Sequence, residues 1–154
     1  MRKSMNRVTV PKDVAALCEQ IAKGYERRKK AYEERRLDII YSTGSTFADP
    51  IGGSRSPRSF SDPCANKAER LEKLERSLDA KFITAVEQSL MNTGTDVSRD
   101  SRERLRKAIL LNCESGREHP YEFLGIDEFS RRDFYRRKER FITGIAVALG
   151  IIDI

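Results

Sequence analysis

The chain is short of the residues that punctuate β structure. Proline occurs five times and glycine nine times in 154 residues, and both cluster rather than spread. A strand-rich protein needs a turn signal about every 8–12 residues. These signals are missing, so an all-α fold is expected. Ligands for metals and partners for disulfides are equally scarce. The single histidine is His119, and Cys18, Cys64 and Cys113 lie far apart with no Cys-x-x-Cys. A zinc site or a disulfide framework needs more ligands at closer spacing. No metal and no cofactor are expected, and the three cysteines read as reduced thiols of a cytoplasmic protein.

Long hydrophobic runs are also lacking. The most apolar stretch, residues 141–154, contains Asp153 and falls short of the roughly 20 residues that a spanning helix needs. It reads as a buried helix end, so no membrane partner is expected. Met1 to Asp13 has no apolar centre, and no signal peptide is expected there. Gly52-Gly53-Ser54-Arg55 lacks the Gly-Lys-Ser/Thr ending of a P-loop. No paired carboxylates in a catalytic setting and no nucleophile motif occur, so the chain is not expected to be an enzyme.

What is present is charge. Charged residues make up 35% of the chain and hydrophobic ones 38%, with a formal net charge of +6. That balance suits amphipathic helices, and the positive excess suits a polyanionic partner, since lysine and arginine release counterions from phosphates. It equally describes a basic protein with solvated helix faces.

Pro11 can open a first helix running to Ile40, interrupted only by Gly24. Val14, Cys18, Ile21, Tyr25, Tyr32 and Ile39 fall on one 3-4 repeat, with Arg28 and Arg35 at the remaining seam positions. Residues 1–40 are predicted to be a helical or dimerisation module. Their basic second half reads as a solvated face or a second phosphate contact. Residues 41–62 are dense in serine, glycine and proline and read as a loop. Asp62-Pro63 is a helix start, and Leu71, Leu74, Leu78, Phe82, Ala85, Val86 and Leu90 form the apolar stripe of a second long helix within residues 63–98.

Residues 99–154 are predicted to be a C-terminal helix-turn-helix. A third helix follows Ser98, and Gly116 marks a turn. Pro120 opens a short helix that stops at Gly125. Ser130 caps the last helix, with Asp133 three residues on. Phe134, Phe141, Ile142, Ile145 and Leu149 gather on one side of it, and Arg132, Arg136 and Arg140 on the other. Between Ser130 and Arg140 there are six Lys/Arg and two Asp/Glu. Stacked like charges at i, i+4 repel until an anion arrives. A recognition helix enters the major groove N-terminus first. Ser130, Arg131, Arg132, Tyr135 and Arg136 would then lie nearest the bases or phosphates, and Arg137 and Arg140 would hold the backbone.

Ser130-Arg131-Arg132-Asp133-Phe134-Tyr135-Arg136-Arg137-Lys138 resembles the recognition helix of the RinA/ArpU family of phage transcriptional regulators. Glu34-Arg35-Arg36-Leu37-Asp38-Ile39-Ile40-Tyr41 resembles the end of that family's first helix. Gly52-Gly53-Ser54-Arg55-Ser56 and Ser61-Asp62-Pro63-Cys64-Ala65-Asn66-Lys67-Ala68 resemble its Gly-rich loop and following helix start, in the same order. Departures are Cys64 and Asp133, where threonine is usual, and Asp127-Glu128-Phe129, which adds two acids ahead of the last helix. The resemblance implies a sequence-specific DNA-binding activator of late or packaging genes, with a module similar to region 4 of sigma factors. It would bind double-stranded DNA in the bacterial cytoplasm, at the nucleoid. A dimer would set two recognition helices roughly 34 Å apart. Two other readings stay open. One is a non-catalytic adaptor that binds RNA polymerase or another protein; the other is a small terminase-like DNA-packaging recognition subunit.

Overall fold

The computed structural model describes residues 10–42 and 63–153. Every regular element among them is helical: α1 (Lys12–Lys23), α2 (Tyr25–Tyr41), α3 (Pro63–Glu75), α4 (Leu78–Met91), α5 (Arg99–Glu114), a 3₁₀ turn (Tyr121–Phe123) and α6 (Arg131–Ala148). The fold is all-α, as the composition requires. Most of the loop at 41–62 and the Asp62 cap lie outside the described residues. No helix of the described residues is long and apolar enough to cross a membrane.

Both long helices expected from the sequence are divided in two. Gly24, with φ −85° and ψ 0°, ends α1 and leads straight into α2. Glycine lowers the cost of leaving helical geometry. The second interruption needs no glycine. The Ser77 hydroxyl donates to the Leu74 carbonyl at 2.6 Å and accepts from the Ala80 N–H at 3.3 Å. It thereby replaces ladder bonds at the break and caps α4. This break resets the helical phase: Leu78, expected in the stripe, is exposed, and Ile83 is buried instead.

The chain divides into two compact units, one of Met1–Glu26 with Phe82–Ile154, the other of Arg27–Lys81. These units group the helices differently from the segments expected at 1–40, 63–98 and 99–154. The physical reason is burial: α1 packs on α5 and α6, and Cys18, Ile21, Ala22 and Tyr25 belong to the same core as Leu105, Ile109, Phe134, Phe141 and Ile145. The first half of the expected seam is thus a core face of the C-terminal unit. Helices α4 and α6 also touch closely there. A Cβ on Gly144 would lie 2.3 Å from Ser89 Oγ, and that hydroxyl donates to the Phe141 carbonyl at 2.6 Å.

The turn from α4 to α5 is held from below by two arginines of α5. Arg102 Nε donates to the Gly94 carbonyl at 2.9 Å, and Arg106 donates to the Thr93 and Met91 carbonyls at 3.1 and 2.9 Å. Gly94 takes φ +74°, and a Cβ there would meet Arg102 Cγ at 3.1 Å. A positive φ with no room for a side chain is a position for glycine.

In the second unit, Arg28 and Arg35 reach Asp79 at 3.8 and 3.9 Å, and Lys67 Nζ donates to the Ile40 carbonyl at 3.2 Å. The two arginines at apolar seam positions are therefore spent on a carboxylate of α4.

Candidate nucleic-acid interface

Helix α6 begins as its sequence requires. Ser130 Oγ accepts from the Asp133 N–H at 3.1 Å, so Ser130 is a helix cap. From there Phe134, Phe141, Ile142, Ile145 and Ala146 are buried. This fixes the opposite side outward: Arg131, Arg132, Tyr135, Arg136, Glu139 and Arg140 are all exposed.

The expected short helix before α6 is a correction. It is a single 3₁₀ turn, Tyr121–Phe123, made by i→i−3 bonds from Phe123 to Pro120 and from Leu124 to Tyr121. Pro120 opens it, and Gly125 at φ +65° ends it. So few residues leave room for one turn only. It is nonetheless firmly placed. The Tyr121 hydroxyl donates to the Phe129 carbonyl, and its ring lies 5.9 Å from that of Phe134. Asn112 Nδ2 donates to the His119 carbonyl at 2.9 Å.

Asp127-Glu128-Phe129, the departure from the family's pattern, is absorbed in the same way. Phe129 and Ile126 are core residues. Glu128 accepts from Arg104 of α5 at 2.7 Å, and its carboxyl is held below the usual range by its own backbone N–H and then by Arg104. Asp127 remains exposed.

The seven residues expected at the interface separate into three groups. Ser130 is a cap. Arg137 is turned away from the arginine stripe: its side chain is 13% exposed, donates to Asp96 at 2.8 and 2.7 Å and to Asp133 at 3.0 Å, and lies 5.0 Å from the centre of the Phe129 ring. Its hydrogen bonds pull the Asp96 carboxyl down to about 2. The expected role of Arg137 at the phosphate backbone does not suit this placement, because an arginine committed to two carboxylates has no free charge to offer. Lys138 is similarly spent, at 2.9 Å from Glu19 of α1.

Arg131, Arg132, Tyr135, Arg136 and Arg140 share the outward side. Arg131 pairs with Glu122 at 2.6 Å and sits 5.7 Å from the centre of the Tyr135 ring. Tyr135 stands edge-on to Phe134, which fixes the ring's base while its tip stays wet. Arg132 and Arg136 have no hydrogen-bond or ion-pair partner among the described residues. Arg140 borders an open cleft of about 300 Å³ together with Asn92, Thr95, Asp96 and Gly144. Glu139 is the carboxylate within this outward arc.

Sequence reasoning did not single out Glu122, Asp96 or Glu19. The Asp133–Arg137 pair was visible as an i, i+4 spacing. Asp96 and Glu19 reach α6 from distant segments and Glu122 from the turn just ahead of it, and no helical spacing announces them.

Cys18 and Cys113 are free thiols. Burial pushes the thiol of Cys113 up to about 12 and that of Cys18 upward, which leaves both inert. Among the described residues no group of three or more His, Cys, Asp or Glu could hold a metal ion. No protein-family model, curated protein or solved structure matches the chain.

Proposed function

We propose that this chain is a sequence-specific DNA-binding transcriptional regulator that reads double-stranded DNA with the outward side of α6. The observation that carries the reading is the separation of charges on that helix. Arg137 and Lys138 are neutralised by carboxylates at its back. Arg132 and Arg136, one turn apart and exposed, have no partner among the described residues. Their helix is capped at Ser130 and anchored by Phe134 and Phe141, each almost fully buried. Arginines on a rigid helix near its N-terminus suit bidentate recognition of guanine O6 and N7. Arg140, a turn further on, suits a backbone phosphate.

The resemblance to the RinA/ArpU regulators supplies the setting: activation of late or packaging genes of a phage or prophage, in the bacterial cytoplasm. One observation favours the adaptor reading. Phe123 is 80% exposed on the turn ahead of α6, an aromatic side chain that a protein partner such as RNA polymerase would cover.

Selection from a random duplex library, followed by titration of the winning site at several salt concentrations, tests the proposal. One enriched site with steep salt dependence is expected. The Arg132→Ala, Arg136→Ala double variant is expected to lose at least about 1–3 kcal/mol of binding. No enrichment, with weak binding indifferent to both substitutions, overturns it in favour of the adaptor.

A further inference from the structure

We propose that the cleft between the α4–α5 turn and α6 holds one phosphate of the DNA backbone, gripped by Arg140 together with Asn92 and Thr95. The inference rests on the DNA-binding reading of α6. It adds a second chain segment to the interface, one that positions the helix without reading bases.

The cleft, about 300 Å³, is lined by Ser89 and residues 92–96 on one side and by Arg137, Arg140 and Gly144 of α6 on the other. Several of its polar groups are already occupied. Ser89 Oγ donates to the Phe141 carbonyl at 2.6 Å, and Thr93 Oγ1 to the Ser89 carbonyl at 2.8 Å. The carboxylate of Asp96 accepts from Arg137 at 2.8 and 2.7 Å. By contrast, the side chains of Asn92, Thr95 and Arg140 are exposed and make no hydrogen bond or ion pair among the described residues. An amide, a hydroxyl and a guanidinium are donors that proteins bring to phosphate oxygens. The cleft thus keeps these donors free and its carboxylate engaged.

The turn is a fixed support for them. Arg102 and Arg106 of α5 bond the carbonyls of Met91, Thr93 and Gly94, and Arg137 of α6 bonds Asp96. Asn92 and Thr95 lie between these tethers. The cleft also stands at a suitable height. Arg140 is eight residues beyond Arg132, about 12 Å along the helix axis. The major groove is about 8.5 Å deep. A helix that enters N-terminus first, with Arg132 at the base edges, therefore brings Arg140 to the rim, where the phosphates lie. A phosphate is present whatever the sequence, so the cleft strengthens binding to every duplex alike and leaves their ratio unchanged.

The test titrates the full chain across salt against the selected duplex and a scrambled duplex of the same composition. Copies of the selected duplex with one linkage at a time made an uncharged methylphosphonate complete the set. Asn92→Ala, Thr95→Val and Arg140→Gln are each expected to weaken selected and scrambled duplexes equally, by about two- to tenfold. Arg140→Gln alone is expected to flatten the salt slope, by about 0.9, because it alone removes a cation. At one linkage, the loss that the methylphosphonate causes in the parent is expected to vanish in the triple variant. Unaltered thermal unfolding of each variant establishes that the fold is retained. Loss on the selected duplex alone, no loss from Asn92→Ala and Thr95→Val, or a methylphosphonate pattern identical in parent and triple variant overturns the cleft's role and leaves the reading by Arg132 and Arg136 standing. If the parent prefers no duplex over its scrambled partner, the DNA-reading assignment of α6 fails, and the cleft's role with it.

Discussion

The two compact units are both helical, yet what holds each together differs. The unit containing α5 and α6 encloses Phe134, Phe141, Leu105, Ile109, Ile126 and Ile145, all nearly inaccessible to water. Among the described residues of Arg27–Lys81, only Leu74 and Ala80 are buried. The described polar contacts of that unit include ion pairs at 3.8 and 3.9 Å and a lysine–carbonyl bond at 3.2 Å. Each fully buried large side chain stabilises by about 1.5–3 kcal/mol, whereas an exposed ion pair contributes about 0–1 kcal/mol. The difference teaches that an amphipathic repeat makes a helix but not a core. The core forms where aromatic and branched residues from several helices converge, and the unit that bears the arginine face has them.

The largest expected effect tests this contrast directly. Phe134→Ala should cost about 3–5 kcal/mol in denaturant unfolding, a large part of the roughly 5–15 kcal/mol that stabilises a typical domain. Leu74→Ala, at the edge of a thin apolar layer, should cost about 2 kcal/mol or less. Equal losses would erase the distinction. A smaller effect is expected at the crossing of α4 and α6. Gly144→Ala places a methyl group against Ser89 Oγ, and its cost of about 1–3 kcal/mol is partly offset by up to about 1 kcal/mol of helix propensity. Adding Ser89→Ala should recover most of the loss. Lys73→Ala, exposed on α3, should change stability by about 0.5 kcal/mol or less. An undiminished melting temperature in Gly144→Ala would show that the helices can separate without cost.

Much of α6 was legible because its signals are local. Ser130 with Asp133 three residues on marked the cap, and the spacing of Phe134, Phe141 and Ile145 marked the buried side. Once that side is buried, Arg132 and Arg136 must face outward. Three features were not legible. The break at Ser77 depends on a hydroxyl choosing its own turn's backbone over water, a choice that serine leaves open. The grouping of α1 with α5 and α6 depends on contacts between segments far apart in the sequence, which periodicity does not encode. The fate of Arg137 depends on Asp96, forty-one residues away, and so a residue that looks like its neighbours in sequence serves the opposite purpose.

That last distinction has a pH signature, the smallest of the expected effects. Asp96 has its carboxyl lowered from 3.8 to about 2, chiefly by the hydrogen bonds from Arg137. A depressed folded value means that the stabilisation is present above about pH 4 and is lost as the pH falls toward 2. The Asp96 side chain is 62% exposed, so water and salt screen the pair, and its contribution at neutral pH should stay below about 1 kcal/mol. Parent and Asp96→Asn proteins should therefore differ slightly in melting temperature at pH 7 and converge near pH 2. A difference that persists unchanged at pH 2 would mean that Asp96 acts through packing rather than charge. At neutral pH the same variant removes one of the two carboxylates that hold Arg137. If that pair keeps Arg137 from the DNA, Asp96→Asn should tighten scrambled and selected duplexes alike, because a freed arginine meets a phosphate on either. Unchanged binding to both would show that Arg137 is kept from the DNA by its place on the helix rather than by Asp96.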